Sequence, residues 1–291
     1  MPLQPGDEIA HYHHRRGEAG TARGEVPFSI SRIIIVGALL ASLPALAQWL
    51  NYPTPGIPKT PSGLPNLGAP TPRTAEGKPD FSGTWEAENT LPPGQDLQIG
   101  EQFLDLGSRL KGGLPYQPWA AEIATIRRMA NAKDDPETRC LPISVVRSHT
   151  YPTLKKIVQV PGLIVILDEH NASYRQIFTD GRPLPIDPQP SWNGYSSGKW
   201  EGDTLVVETI GFRDEIWLDK RGSPMTDAAK MTERIRRVNY GNLEIEVTID
   251  DSKAYTKPWT TKLNQFIVLN TDLLDYICLE NEKDIPHLVG K

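Results

Sequence analysis

Apolar and polar residues alternate most regularly where Leu243, Ile245, Val247 and Ile249 interleave with Glu244, Glu246, Thr248 and Asp250. A two-residue period of this kind is a strand with one buried and one wet face. The segment before it, Thr232-Glu233-Arg234-Ile235-Arg236-Arg237, can pair with it in a register set by charge. Arg236 then faces Glu244, Arg234 faces Glu246, Ile235 meets Ile245 and Met231 meets Ile249, with an odd-length loop over 238–242. A slip of one residue would set both arginines against apolar partners. Upstream, Trp200 and the run 204–210 flank Glu201-Gly202-Asp203, a hairpin turn with glycine where positive φ is needed.

The same reading extends both ways. Gly83-Thr84-Trp85 opens the first strand, and a Gly-x-Trp entering a strand is shared with lipocalin-like barrels, where the tryptophan plugs one end. Segments 157–160 and 163–167 form a hairpin about Pro161-Gly162, with the apolar run 163–167 expected to be central and buried on both faces. Strands follow at 174–178, 260–269 and 272–279. One soluble helix is predicted over 118–129, with Pro118 in its first turn and Ala120, Ile123, Ala124 and Ile126 on one side. About ten strands with short turns and one short helix predict a mainly β fold, an antiparallel β-barrel or sandwich, with a lipocalin-like barrel among the alternatives.

The front of the chain is different in kind. Residues 1–32 are polar, and His11, His13 and His14 there lack carboxylate or thiol neighbours at ligand spacing, so a solvated tail is expected and no metal. Residues 33–50, from Ile33 to Leu50, carry no charge, and with the preceding residues approach the ~20 needed to cross a bilayer as a helix. Ala45-Leu46-Ala47 offers a small-x-small site, so cleavage before Gln48 is one outcome. The long leader and the interfacial aromatics Trp49 and Tyr52 favour a retained anchor. Arg15, Arg16, Arg23 and Arg32 precede the run and only Lys59 follows closely. That bias keeps the N-terminus cytoplasmic and exports the rest, giving an inner-membrane protein with a periplasmic main domain. Residues 51–79 hold eight prolines and predict a stiff extended tether. The expected organisation is therefore a cytoplasmic tail (1–32), a transmembrane signal-anchor (33–50), a proline-rich tether (51–79) and an exported β-domain (80–291).

Composition narrows the partners. The 291 residues carry a net charge of −5, which argues against nucleic acid. The two cysteines, Cys140 and Cys278, both fall in the exported part. One disulfide between them is expected in an oxidising compartment, with two separate buried thiols as the alternative.

Five blocks, Gly77-Lys78-Pro79-Asp80-Phe81-Ser82-Gly83-Thr84-Trp85, Lys133-Asp134-Asp135-Pro136-Glu137-Thr138-Arg139-Cys140-Leu141-Pro142, Phe178-Thr179-Asp180-Gly181-Arg182-Pro183-Leu184-Pro185, Trp200-Glu201-Gly202-Asp203-Thr204-Leu205-Val206-Val207-Glu208-Thr209 and Ala254-Tyr255-Thr256-Lys257-Pro258-Trp259, together resemble a family of exported bacterial proteins of unassigned function. The resemblance covers residues 77–291 and implies an exported domain. It carries no catalytic residue over.

No serine elbow, zinc helix, phosphate loop or dinucleotide fingerprint is present. The best acid–base set is Asp168 and His170 with Tyr174 at a strand end, where a barrel mouth would hold them on one face; the bland reading is a polar turn. Arg234 and Arg236 with Trp192 and Trp217 could line a ligand pocket, against a solvated charge ladder and core tryptophans. With no cofactor implied, the expected function is a non-catalytic accessory subunit. Residues 33–50 anchor it in the bilayer, and its β-domain docks on a membrane protein complex of respiratory or photosynthetic type. The alternative is a secreted lipocalin-like enzyme or small-ligand carrier.

Overall fold

A computed structural model describes residues 52–88 and 101–280. The proposed span, with Ile33, Trp49 and Leu50, lies outside the described residues, and among those described no helix is long and apolar enough to cross a membrane. Eleven strands are described: β1 (Gly83–Ala87), β2 (Lys155–Val160), β3 (Leu163–Asp168), β4 (Ser173–Phe178), β5 (Tyr195–Glu201), β6 (Thr204–Ile210), β7 (Ile216–Trp217), β8 (Pro224–Met225), β9 (Lys230–Asn239), β10 (Asn242–Asp250) and β11 (Trp259–Ile267). Nine of them close into a barrel in the order β1-β11-β10-β9-β6-β5-β4-β3-β2, while β7 and β8 form a separate pair. Closure leaves no free edge. Every barrel pairing is antiparallel except the short parallel contact of Ile177 and Phe178 with Ser196 and Ser197.

The β9–β10 register is the one that charge pairing requires: Arg236 faces Glu244, Arg234 faces Glu246, Ile235 faces Ile245 and Met231 faces Ile249. The connection is tighter than a loop over 238–242. Asn239 pairs with Asn242 around Tyr240-Gly241, and a bulge at Val238 absorbs the odd residue. Alternation governs the rest of the wall, with Leu205 and Val207 of β6, Ile164 and Ile166 of β3 and Leu263 of β11 all buried. In β3 the intervening Leu163, Val165 and Leu167 are half-buried rather than enclosed on both faces.

Residues 272–279 do not form a strand. Because β11 already pairs with both β10 and β1, no edge remains for another, and the segment makes a single bridge, Tyr276 to His170. The predicted helix appears as α2 (Pro118–Met129), joined by α1 (Glu101–Leu104), α3 (Val145–Thr150) and a 3-10 turn at Pro136–Arg139. α2 buries Ala120 and Ala124 but leaves Ile126 exposed, and its Arg127 lies 4.4 Å over the Trp217 ring.

The proline-rich stretch is no free tether. Residues 52–79 belong to the same compact unit as the barrel and fold back on themselves through the bridges Lys59–Pro65 and Arg73–Pro79. Prolines cannot donate, yet the carbonyls between them can accept. Tyr240 N donates to Ala69 O and Gly241 N to Leu67 O, both at 2.8 Å. Arg73 makes a two-point pair with Asp203 at 2.7 Å. Beneath this layer Trp85, fully buried, closes one end of the barrel, its Nε1 donating to Phe81 O at 3.0 Å.

Candidate functional site

The opposite end of the barrel holds the polar residues. Asp168, the last residue of β3, points inward and accepts from Ser148 Oγ at 2.5 Å, Thr153 Oγ1 at 3.1 Å and His170 N at 3.0 Å. His170 does not share its face. The strand ends at Asp168, and Asn171 and Ala172 take positive φ, swinging the imidazole out of the lumen between Tyr151 and Tyr276. Tyr174 lies on the outer surface, 61 % exposed. Strand alternation stops where the turn begins, so the three side chains do not converge.

The other candidate set is dispersed as well. Arg234 pairs with Glu201 at 3.0 Å and Arg236 approaches Glu244 at 4.0 Å, each about half exposed on the outer wall. Trp217 is buried under Arg127 and Trp192 sits 5.2 Å from the Arg213 guanidinium. Tyr52 lines a groove of about 460 Å³ with Pro53 and Pro55, outside the barrel lumen. Among the described residues no group of His, Cys, Asp and Glu side chains is placed to hold a metal ion.

What the structure does bring together is a network inside the lumen that the strand pattern alone did not reveal. Glu233 of β9, Arg175 of β4, Ser196 of β5, Thr209 of β6 and Gln265 of β11 all face inward and are buried. α3 lowers His149 onto them from above. Ser144 caps this helix, its Oγ accepting from Arg147 N at 3.2 Å, and Val145, Val146 and Thr150 are buried around it. A helix buried on nearly every side has no amphipathic stripe, so its sequence gives no periodic signal.

The bonding in this network is reciprocal. Arg175 Nη1 donates to Glu233 Oε1 at 3.0 Å, its Nη2 reaches Oε2, and the same guanidinium donates to Ser196 and Thr209. His149 Nε2 lies 2.8 Å from Glu233 Oε1 and Gln265 donates its amide to Nδ1 at 3.1 Å. The ring proton therefore sits on Nε2 and points at the carboxylate. Burial alone would push the Glu233 carboxyl up, but Arg175 and His149 hold it down at about 2. Spaces of about 10 and 20 Å³ remain beside the network, room for roughly one water each. Chemically it is a satisfied ionic core.

A second cluster lies outside the lumen. Arg147 of α3 forks onto Asp135 with two bonds of 2.8 Å and reaches Glu137 at 2.5 Å, while Lys220 approaches the same two carboxylates at 3.4 and 2.5 Å. Asp135 is buried and Glu137 partly buried, which raises their pKa, yet the neighbouring cations bring both below the ordinary range. Cys140 and Cys278 form a disulfide next to this cluster. No protein-family model and no curated protein matches this sequence.

Proposed function

We propose that this protein is a non-catalytic accessory subunit, anchored through residues 33–50 in the inner membrane, whose periplasmic β-domain docks on and stabilises a larger membrane complex of respiratory or photosynthetic type. On this reading it is one of the exported bacterial family that its sequence blocks resemble. The observation that supports it is the filled lumen. Arg175, Glu233 and His149 occupy with one another the space that a carrier would give to its ligand, and a displaced ion pair would have to be re-solvated by whatever entered. The working surface is then the exterior, where Met129, Leu274, Ile277 and Leu279 are exposed.

Gentle detergent extraction of native membranes followed by size-exclusion tests the reading. The protein is expected to elute with a large assembly and to retain the residues before Gln48. A free monomer whose chain begins at Gln48 would rule it out.

The second reading is a lipocalin-like enzyme or small-ligand carrier. It draws support from Trp85, which plugs the barrel at the first strand beneath the Arg237 guanidinium at 4.9 Å. For this reading the same purified domain must bind a small organic molecule with displacement of the Arg175–Glu233 pair.

A further inference from the structure

The docking role leaves the cluster outside the lumen unused. His170 completes it, with Nε2 3.8 Å from Glu137 Oε1 and its ring 4.5 Å from that of Tyr151, whose hydroxyl donates to the same carboxylate. His170 is 1 % exposed, and its Nδ1 has no hydrogen-bond partner among the described residues. A carboxylate and a phenol thus lie beside a buried imidazole whose Nε2 faces Glu137 and takes the Asn171 amide at 3.3 Å, while no described residue satisfies its Nδ1.

The cover over His170 is thin. Tyr276 bridges to it and stacks on its ring at 5.3 Å. The rest of residues 272–280 is held by Lys156 Nζ donating to both Asp272 carboxylate oxygens at 2.7 Å where the segment begins, by Leu274 N donating to Glu169 Oε1 at 2.8 Å and by Cys278 N donating to Asn171 Oδ1 at 3.2 Å. Then comes the covalent tie, Cys278 to Cys140. Leu274, Ile277 and Leu279 point outward, so the segment buries little of its own apolar surface. Both cysteines are half-buried, within reach of a thiol. Cys140 and Asn171, to which it is tied, and the adjoining Ala172 all take positive φ, and for cysteine and alanine that conformation persists only where surrounding structure enforces it.

We infer that residues 272–280 are a redox-released strap: reduction of Cys140–Cys278 frees the segment and uncovers the His170–Tyr151–Glu137 cluster while the barrel stays closed. A dithiol reductant supplies two electrons and two protons. The S–S bond breaks, each cysteine leaves as a thiol, and the reductant becomes its own disulfide. Once the covalent tie is gone, a few polar contacts do not offset the entropy of keeping the segment ordered. Barrel closure does not depend on it, because β1 pairs with β2 and β11 without any strap residue.

Histidine carbethoxylation by diethyl pyrocarbonate, read site by site by mass spectrometry on the full chain, tests this. His149, deep in the lumen, serves as the unfolding control. In the oxidised protein both histidines should be protected; after dithiothreitol, His170 should react at least about tenfold faster, as a local opening requires, with His149 unchanged. Tyr276→Ala with the disulfide intact should expose His170 by the other route. Protection of His170 in the reduced protein overturns the inference, as does reactivity already present in the oxidised one. Joint labelling of His149 and His170 also overturns it, since the disulfide would then staple the whole fold.

Discussion

Arg175 and Glu233 meet inside the barrel from strands that are not neighbours, with Nη1 donating to Oε1 at 3.0 Å and Nη2 engaging the other oxygen. Each neutralises a charge that the lumen could not otherwise hold. Glu233→Ala is therefore expected to destabilise the domain by about 3–5 kcal/mol, because it strands a buried guanidinium. The double variant Arg175→Met, Glu233→Met removes both charges and should be less damaging than Glu233→Ala. Urea midpoints at constant m-value measure the difference, and a double variant worse than the single would show that the pair contributes net stability.

Acid should unfold the domain through the same residue. Glu233 is ordinarily a 4.5 acid and is held at about 2 in the fold. Its folded pKa lies below the unfolded one, so its contribution is complete above 4.5 and is lost as pH falls toward 2. The difference corresponds to roughly 3 kcal/mol. Asp135 and Glu137, lowered in the same direction, add to the loss in the acid range. Stability measured from pH 7 to pH 2 should fall steeply, and Glu233→Gln should flatten part of that fall while lowering the plateau.

Arg234 and Arg236 should behave in the opposite way. Both are about half exposed and face single carboxylates on the outer wall, where screening and side-chain entropy cancel most of the attraction. Alanine at either position is expected to change stability by no more than about 0.5 kcal/mol. A loss above about 2 kcal/mol on thermal melting would mean that these arginines carry a load that their exposure does not indicate.

These arginines also show where sequence reading works. Arg234, Arg236 and Glu233 lie within four residues of one another, and β9 turns the first two outward and the third inward. Nothing local says what Glu233 meets there, because its partners come from β4 and α3, distant in sequence. Register was legible between β9 and β10 since adjacent strands carry complementary charges. The Asp168–His170 face was not, because a strand period cannot announce where the strand stops. The proline-rich run misled for a related reason: proline content reports what a segment cannot donate, and the bonds it makes with Tyr240 and Gly241 use its carbonyls.

Removing that run should be costly. A chain starting at Asp80 loses the acceptors of Tyr240 N and Gly241 N, the Thr71 hydroxyl that donates to Arg237 O at 2.7 Å, and the Arg73–Asp203 pair. A chain starting at Asn51 keeps them. The shorter chain is expected to be less stable by about 2–4 kcal/mol, with the unpaired turn amides as the main cause. Equal melting of the two would restore the picture of a detached tether.

Arg237 gives the sharpest test of the plugged end. Its Nη1 donates to Asp80 O at 2.6 Å, its Nε to Tyr240 O at 3.1 Å, and its guanidinium carbon lies 4.9 Å from the Trp85 ring centre and 5.1 Å from that of Tyr240. Burial pushes this guanidinium down to about 10, with Asp80 opposing the shift. Lysine keeps the charge but cannot reach divergent carbonyls with one nitrogen while offering a planar group to the indole. Arg237→Lys should therefore lose most of what Arg237→Ala loses, about 2–4 kcal/mol. In both variants Trp85 becomes open to the groove that Arg237 and Tyr240 line, so acrylamide should quench more of the indole fluorescence. Full rescue by lysine, with quenching unchanged, would reduce Arg237 to a point charge and leave Trp85 closing the barrel by packing alone.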